Sequence, residues 1–202
     1  MIIYKQETDK SCGVACLRSI FNYYGNNFSE EDVWRKSELF HSNSGGVMNP
    51  LLSLGVTALE FGFDVEYVGH NPIITNNNVS ENLEESLKEK SDKYREYGKY
   101  VIGTALEFLR LGGVMRIDIP TIDKIKTMID KHGFILVEIR PAFINNKMQL
   151  NMVHKIIVVG YTDDGFKILD PGQGVERFLN FDVFLAAFYA SMPELIIIKE
   201  KR

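Results

Sequence analysis

The sequence predicts an α+β fold, with a helical half over about residues 1–132 and a C-terminal antiparallel sheet over about residues 133–202. In the first half, apolar residues recur at every third or fourth position, which is typical of the buried face of a helix. In the second half, short apolar runs alternate with turn residues, which is typical of strands. Helices that come first and strands that follow favour an α+β fold over alternating βαβ units. We therefore expect a single domain.

The helical segments have recognisable start and stop residues. Gly25 ends the first helix, Ser29 caps the second ahead of three acidic residues, and Pro50 opens the third. Thr121 caps the last helix of this half, which ends before Gly133. Helices are predicted over residues 11–24, 29–40, 50–62, 80–97, 101–111 and 121–132, with a strand at 64–68.

The second half reads as a series of strands. Asp163, Asp164 and Gly165 separate two apolar runs and predict a hairpin turn between them. Strands are predicted over residues 134–139, 153–161, 166–169, 175–179 and 195–199, with a short helix at 181–189.

Composition and charge exclude several classes of protein. Twenty-three Lys and Arg residues against 27 Asp and Glu give a net charge of −4, without the basic stripe of a nucleic-acid binder. No apolar run approaches the roughly 20 residues that span a bilayer, and the N-terminus has no secretory signal pattern, so we expect a cytoplasmic protein without membrane insertion. The charged helix at 80–97 predicts a solvated face, with a protein partner as the alternative. The sequence sets no oligomeric state.

Four residues carry the predicted chemistry. Cys12 begins the first helix, where the positive end of the helix dipole favours a thiolate. A thiolate nucleophile needs a proton donor, and His154 opens a strongly apolar strand that would hold it rigidly. Asp170 ends the next strand of the hairpin and could orient the imidazole. The side-chain amide of Gln6 could donate to an oxyanion together with the Cys12 backbone N–H.

These segments, in their order along the chain, resemble the C39 peptidase family of papain-like cysteine proteases. The matching segments are Gln6, the run Ser11-Cys12-Gly13-Val14-Ala15-Cys16-Leu17, Tyr23-Tyr24-Gly25, His154 with its Ile-Ile-Val-Val-Gly-Tyr strand, and Asp170-Pro171. The resemblance implies a papain-like fold with Cys12 as nucleophile, His154 as general base and acid, Asp170 as its orienter and Gln6 as oxyanion donor. It implies a peptide or small amide as the substrate.

Two positions depart from the family pattern. Lys155 follows the histidine where the family tends to have an aromatic residue, and Ser11 stands where Asp is common. Relatives of this fold include acyltransferases that pass the acyl group to an amine, and a catalytically silent peptide-binding module is a further alternative. Loops at residues 42–49, 73–78 and 141–150 are the predicted walls of the substrate site.

No metal or cofactor is predicted. Cys12 and Cys16 lack the second pair of ligands that a structural zinc site needs, and Cys16 is expected to be a buried structural thiol. His41, His70 and His132 are expected to be structural or exposed. The Gly172-Gln173-Gly174 segment does not open a helix after a strand, as a phosphate-binding loop does, and predicts a turn.

Overall fold

A computed structural model describes residues 1–37, 40–41, 47–75, 83–90, 93–145 and 149–200 of the chain. The helices in these ranges are α1 (Cys12–Tyr23), α2 (Glu30–Lys36), α3 (Leu51–Glu60), α4 (Pro72–Thr75), α5 (Leu83–Lys90), α6 (Glu96–Arg110), α7 (Ile122–His132) and α8 (Phe181–Tyr189). The strands are β1 (Phe40–His41), β2 (Val47–Met48), β3 (Asp64–Gly69), β4 (Val114–Ile117), β5 (Ile135–Ile139), β6 (His154–Tyr161), β7 (Gly165–Asp170), β8 (Val175–Asn180) and β9 (Glu194–Lys199).

The helix caps follow local chemistry that the sequence predicts. The Ser29 hydroxyl accepts from the Asp32 N–H at 3.1 Å, and the Asp32 carboxylate accepts from the Ser29 N–H, which completes a capping box at the start of α2. The Thr121 hydroxyl accepts from the Lys124 N–H at the start of α7. Gly133 ends α7 with a φ of 83°, a conformation that glycine adopts without strain.

Seven of the described strands form one sheet in the order β4-β3-β9-β5-β6-β7-β8. The neighbours pair antiparallel, except that β3 and β4 run parallel. The sheet therefore departs in one pair from the antiparallel sheet predicted for the C-terminal half. Two of its strands, β3 and β4, come from the part of the sequence that was predicted to be mainly helical. The C-terminal strand β9 joins them to the rest.

Each face of the sheet buries its own hydrophobic cluster. Leu136, Ile157 and Ile196 face one cluster, which includes side chains of α1, α3 and α6. The opposite face carries Ile156 and Ile197 and packs against α7 and α8. Consecutive residues of a strand point to opposite faces, so neighbouring positions such as Ile156 and Ile157 enter different clusters. The same alternation places consecutive polar residues at the ends of the strands on opposite faces of the sheet.

The predicted elements need two corrections. The helix predicted to end near Phe40 stops at Lys36, since Phe40–His41 forms β1. Of the two helices predicted at 80–97 and 101–111, the first is shorter, as α5, and the second begins earlier, since α6 starts at Glu96 after the extended Arg95. Tyr94, just before α6, packs closely on Gly98, because a Cβ at Gly98 would lie 2.5 Å from the Tyr94 Cβ. The short elements β2, α4 and β4 were not predicted.

Within the ranges that the structure describes, none of the helices is both long and apolar enough to cross a membrane. Cys12 and Cys16 are both buried and are not joined in a disulfide.

Candidate active site

Cys12 is the first residue of α1, and its side chain is 9% exposed. The Ser11 hydroxyl fixes the chain just before it, because it donates to the Thr8 carbonyl and accepts from the Thr8 N–H, each at 3.0 Å. The first N–H groups of a helix have no intrahelical acceptor, and Cys12 lies at this end of α1. The local fold therefore provides a positive electrostatic environment for a thiolate.

Strands β6 and β7 bring His154 and Asp170 together, as the hairpin prediction implies. His154 Nε2 lies 2.7 Å from Asp170 Oδ1. The same Oδ1 accepts from the Gly172 N–H at 2.9 Å, and Oδ2 accepts from an Arg177 guanidinium nitrogen at 3.1 Å. Three donors thus hold the Asp170 carboxylate in one orientation.

The pKa of Cys12 is lowered and that of His154 is raised, so each shift favours the charged form of its residue. Burial by itself raises the pKa of the Cys12 thiol, but hydrogen bonding to His154 and the positive charges of Lys155 and His154 bring it below its ordinary value. Burial lowers the pKa of His154, but hydrogen bonds to Asp170 and Cys12 outweigh it and raise the pKa to about 9. Opposite charges that favour each other in this way are what a thiolate and imidazolium pair requires.

Asp170 is ionised at neutral pH. Its partial burial raises the pKa, yet the hydrogen bond and charge of His154 and the hydrogen bond of Arg177 lower it to about 2. The carboxylate can therefore orient His154 and stabilise its protonated form without taking the proton itself.

Gln6 lies in the wall of the same cavity as Cys12. Its backbone N–H donates to the Pro171 carbonyl at 2.9 Å, which ties the N-terminal segment to the turn after Asp170. The side-chain Nε2 donates to the Thr8 carbonyl at 2.8 Å, while the buried Oε1 has no hydrogen-bond partner. Nε2 carries a second hydrogen, which the bond to Thr8 does not use.

Lys155 has a partner that the sequence does not reveal. Its side chain is 3% exposed, and its Nζ lies 2.8 Å from Glu138 Oε2. The other Glu138 oxygen accepts from the Ser191 hydroxyl at 2.6 Å. The backbone carbonyl of Lys155 accepts from the Cys16 thiol at 3.5 Å. Lys155 therefore contacts the nucleophile helix through its backbone and adds a buried positive charge near Cys12.

Two cavities flank this end of the sheet. The Cys12 cavity, of about 320 Å³, is lined by Cys12, His154, Asp170, Gln6, Arg177 and by Pro141, Ile144 and Asn145 from the predicted 141–150 wall. The Glu194 cavity, of about 340 Å³, is lined by residues that include Glu138, Lys155, Glu194, Tyr97 and Tyr100. Val153 lines both. Of the other predicted wall segments, residues 42–46 and 76–78 lie outside the described residues.

Sequence reasoning missed two supports of the site. Arg177, on β8, donates to the Asp170 carboxylate. A basic residue on the strand next to Asp170 was the sequence feature that could have predicted this contact. Gly172 donates to Asp170 in the Asp-Pro-Gly turn, and such turns commonly hydrogen-bond an Asp side chain to the backbone two residues on. A Cβ at Gly172 would lie 3.1 Å from Asp170 Oδ1, so the turn leaves little room for any other residue.

Cys12, His154 and Asp170 form no metal site. Among the described residues, no group of three or more His, Cys, Asp and Glu side chains is placed to hold a metal ion.

A buried cysteine at the start of a helix, packed against a sheet that carries histidine and aspartate, defines the class as papain-like. The chain belongs to the Peptidase_C39 like family, whose model matches residues 1–194. The resemblance and the fold class predicted from the sequence are thereby confirmed. No curated protein matches the sequence.

Solved structures of peptidase domains share the fold over nearly the whole chain. The peptidase domain of Streptococcus ComA, a bifunctional ABC transporter of a quorum-sensing pathway, has a TM-score of 0.55 at 14% identity, covering 99% of this chain and 98% of that one. A C39-like peptidase from Bacillus anthracis has a TM-score of 0.59 at 11% identity, covering 99% and 94%. A double-glycine-motif protease from an AMS/PCAT transporter, solved with its leader peptide, has a TM-score of 0.52 at 14% identity, covering 98% and 91%. At these identities the likeness concerns the fold alone.

Proposed function

We propose that this protein is a cysteine hydrolase that cleaves a peptide or small amide bond through an acyl-enzyme. Cys12 is the nucleophile, His154 the general base and acid, and Asp170 the group that orients His154. The observation that carries the proposal is the 2.7 Å contact of His154 Nε2 with Asp170 Oδ1 beside the buried Cys12. A structural histidine would not require a neighbouring thiol of lowered pKa at a helix start.

The reaction proceeds in two halves. The Cys12 thiolate attacks the carbonyl carbon, and the oxyanion accepts from the Cys12 backbone N–H and the second hydrogen of Gln6 Nε2. The imidazolium of His154 then donates its proton to the leaving amine, the C–N bond breaks, and a thioester remains. Water attacks the thioester as His154 takes one of its protons, which releases the carboxylic acid and restores the thiolate and imidazolium pair.

The rate at which iodoacetamide alkylates the native protein tests the nucleophile without any knowledge of the substrate. Intact mass would be followed from pH 4 to 10 for the wild type and for Cys12→Ala, Cys16→Ala and His154→Ala. We expect fast alkylation of Cys12 well below the free-thiol pKa of about 8.5. Cys16→Ala should match the wild type, since Cys16 is fully buried and its pKa is raised by burial. His154→Ala should lose the reaction at low pH.

A peptide library would then identify a substrate. Wild type should cleave at least one sequence, and Cys12→Ala should fold with an unchanged circular-dichroism spectrum and cleave none. Product masses with and without added amines distinguish hydrolysis from acyl transfer. Alkylation that follows an ordinary thiol pKa, or cleavage by Cys12→Ala at the wild-type rate, would contradict the proposal.

A further inference from the structure

The Glu194 cavity lies on the sheet face opposite to the one from which His154 enters the Cys12 cavity. In the β5–β6 register, Ile139 pairs with His154 and Glu138 pairs with Lys155. Because side chains alternate along a strand, Ile139 and His154 enter the Cys12 cavity while Glu138 and Lys155 enter the Glu194 cavity. A ligand that extends from Cys12 past Val153, which lines both cavities, would reach the second one.

Three charged side chains form a row across the floor of this cavity. The β5–β9 register pairs Val137 with Leu195, so one step further along it places Glu194 opposite Glu138. Glu138 in turn lies opposite Lys155. Across three adjacent strands the row is therefore Glu194, Glu138 and Lys155. The two like charges of Glu194 and Glu138 lie opposite each other, which is unfavourable.

The cations at the cavity already have acceptors. Lys155 pairs with Glu138 at 2.8 Å. The Arg140 guanidinium at the rim donates to the backbone carbonyls of Ala190, Asn151 and Met152, at 3.2, 2.8 and 3.3 Å. The Asn71 amide, a neutral donor, lies 2.6 Å from Glu194 Oε1, and the neutral Tyr67 hydroxyl faces the same carboxyl. Within the described residues, Glu194 forms no ion pair, although it is only 7% exposed and lines the cavity.

We propose that the Glu194 cavity receives a basic side chain of the substrate, of the lysine or arginine kind, whose cationic end pairs with Glu194. The inference rests on the proposed function, because it places this side chain close to the bond that Cys12 attacks. A volume of about 340 Å³ is within the range of ordinary ligand pockets. Tyr97 and Tyr100 form part of the wall, and aromatic rings are favourable neighbours for the stem and head of such a side chain.

The groups around Glu194 make its charge sensitive to pH. Burial, followed by the charge of Glu138, raises the pKa of Glu194 to about 7 against the lowering effects of Asn71, Tyr67 and Lys155. The groups that face it are Glu138 from β5, Lys155 from β6, Tyr67 from β3, Tyr97 from α6 and Arg140 after β5. Glu138 has a lowered pKa, Lys155 a raised one, and the pKa of Tyr97 is about 12, so Glu194 is the group of this set that titrates near neutrality. A bound cation favours the ionised carboxyl, so its affinity should increase as pH rises through 7.

The test uses chloromethyl ketones of two designs, N-acetyl-X-Gly and N-acetyl-Gly-X, where X is Arg, norleucine or Glu. The second-order rate of Cys12 alkylation is measured for the wild type and for Glu194→Gln at pH 8 and pH 6. In at least one design, we expect the wild type to prefer Arg over norleucine at least tenfold at pH 8, and less at pH 6. Glu194→Gln should lose this preference while its norleucine rate stays within twofold of the wild type.

Asp9→Asn is the matched control, because Asp9 is an acid that lines the Cys12 cavity instead. It should keep the Arg preference. A preference for Glu, no preference at pH 8, or a preference abolished by Asp9→Asn but not by Glu194→Gln would overturn the proposal.

Iodoacetamide alkylation distinguishes failure of the Glu194 proposal from failure of the proposed function. Fast alkylation of Cys12 without an Arg preference would contradict only the Glu194 proposal. Should Cys12 be unreactive, titration of folded Cys12→Ala with N-acetyl-arginine amide and N-acetyl-norleucine amide, followed by NMR, gives the same decision. Chemical-shift changes confined to the arginine ligand and to Glu194-cavity residues, and absent from the Cys12→Ala, Glu194→Gln double variant, support the cavity. Equal shifts with both ligands contradict it.

Discussion

His154 and Lys155 are consecutive residues, yet they belong to opposite sides of the same sheet. On the His154 side, one carboxylate, Asp170, is satisfied by three donors. On the Lys155 side, the row holds two carboxylates, Glu138 and Glu194, and one lysine, which pairs with Glu138. The first arrangement is complete before any ligand arrives, as a group that must orient a proton requires. In the second, Glu194 has no ion pair among the described residues, so a cationic ligand could pair with it.

Asp170→Asn should have the largest effect, because it removes the carboxylate that orients His154. An amide cannot stabilise the imidazolium, so the pKa of His154 should fall from about 9 toward its ordinary value. We expect hydrolysis to decrease by roughly 10³, with the alkaline limb of the pH profile moving to lower pH. The pH dependence of cleavage measures both. An unchanged alkaline limb would show that Asp170 does not control His154.

Lys155→Met should have the next largest effect, on stability. It leaves the Glu138 carboxylate buried without its cation, which costs about 3 kcal/mol. The free energy of unfolding from urea denaturation measures the loss. The Glu138→Met, Lys155→Met double variant is the control and should recover most of it, because both charges are then removed. A double variant as unstable as the single one would mean that the pair itself is not the cause.

Glu194→Gln should stabilise the protein, in a way that depends on pH. The folded-state pKa of about 7 lies above the unfolded value of about 4.5, so the folded state binds the proton more tightly. Ionised Glu194 therefore costs stability progressively as pH rises from 4.5, and the full cost applies above 7. We expect a gain on the order of 2 kcal/mol at pH 8 and almost none at pH 4.5. Thermal melts at both pH values measure it, and an equal gain at both would refute the titration of Glu194.

Gly172→Ala should have the smallest effect and should act on the His154 side alone. The added Cβ would lie 3.1 Å from Asp170 Oδ1 and 3.4 Å from His154 Cε1, so the two side chains must shift by a few tenths of an ångström. We expect about tenfold slower hydrolysis with a stability loss of about 1 kcal/mol. Gly103→Ala in α6 is the matched control, because its Cβ meets nothing within 4 Å; it should be neutral or slightly stabilising.

Local patterns were sufficient for the strands of the C-terminal half and for the His154 and Asp170 pair. An apolar run such as Ile156 to Val159 predicts a strand by itself, and the residues Asp163 to Gly165 predict a turn. The hairpin that results brings the ends of its two strands together. The partners of Lys155 and Glu194 lie on strands that are distant in sequence, and their pairing depends on register, which no local pattern contains. The short edge strand β4 has only four residues, and α6 begins without a side-chain cap that a pattern could reveal.

The position of β9 has a consequence for how the chain acquires its structure. Residues 194–199 lie between β3 and β5, so the sheet remains in two pieces until this last strand is inserted. Contacts between residues that are far apart in sequence slow folding, and a chain emerging from the ribosome supplies β9 after everything it must join. We therefore expect all the other strands of the sheet to have been synthesised before Glu194 meets Glu138, so that the Glu194 cavity forms after the rest of the sheet is available.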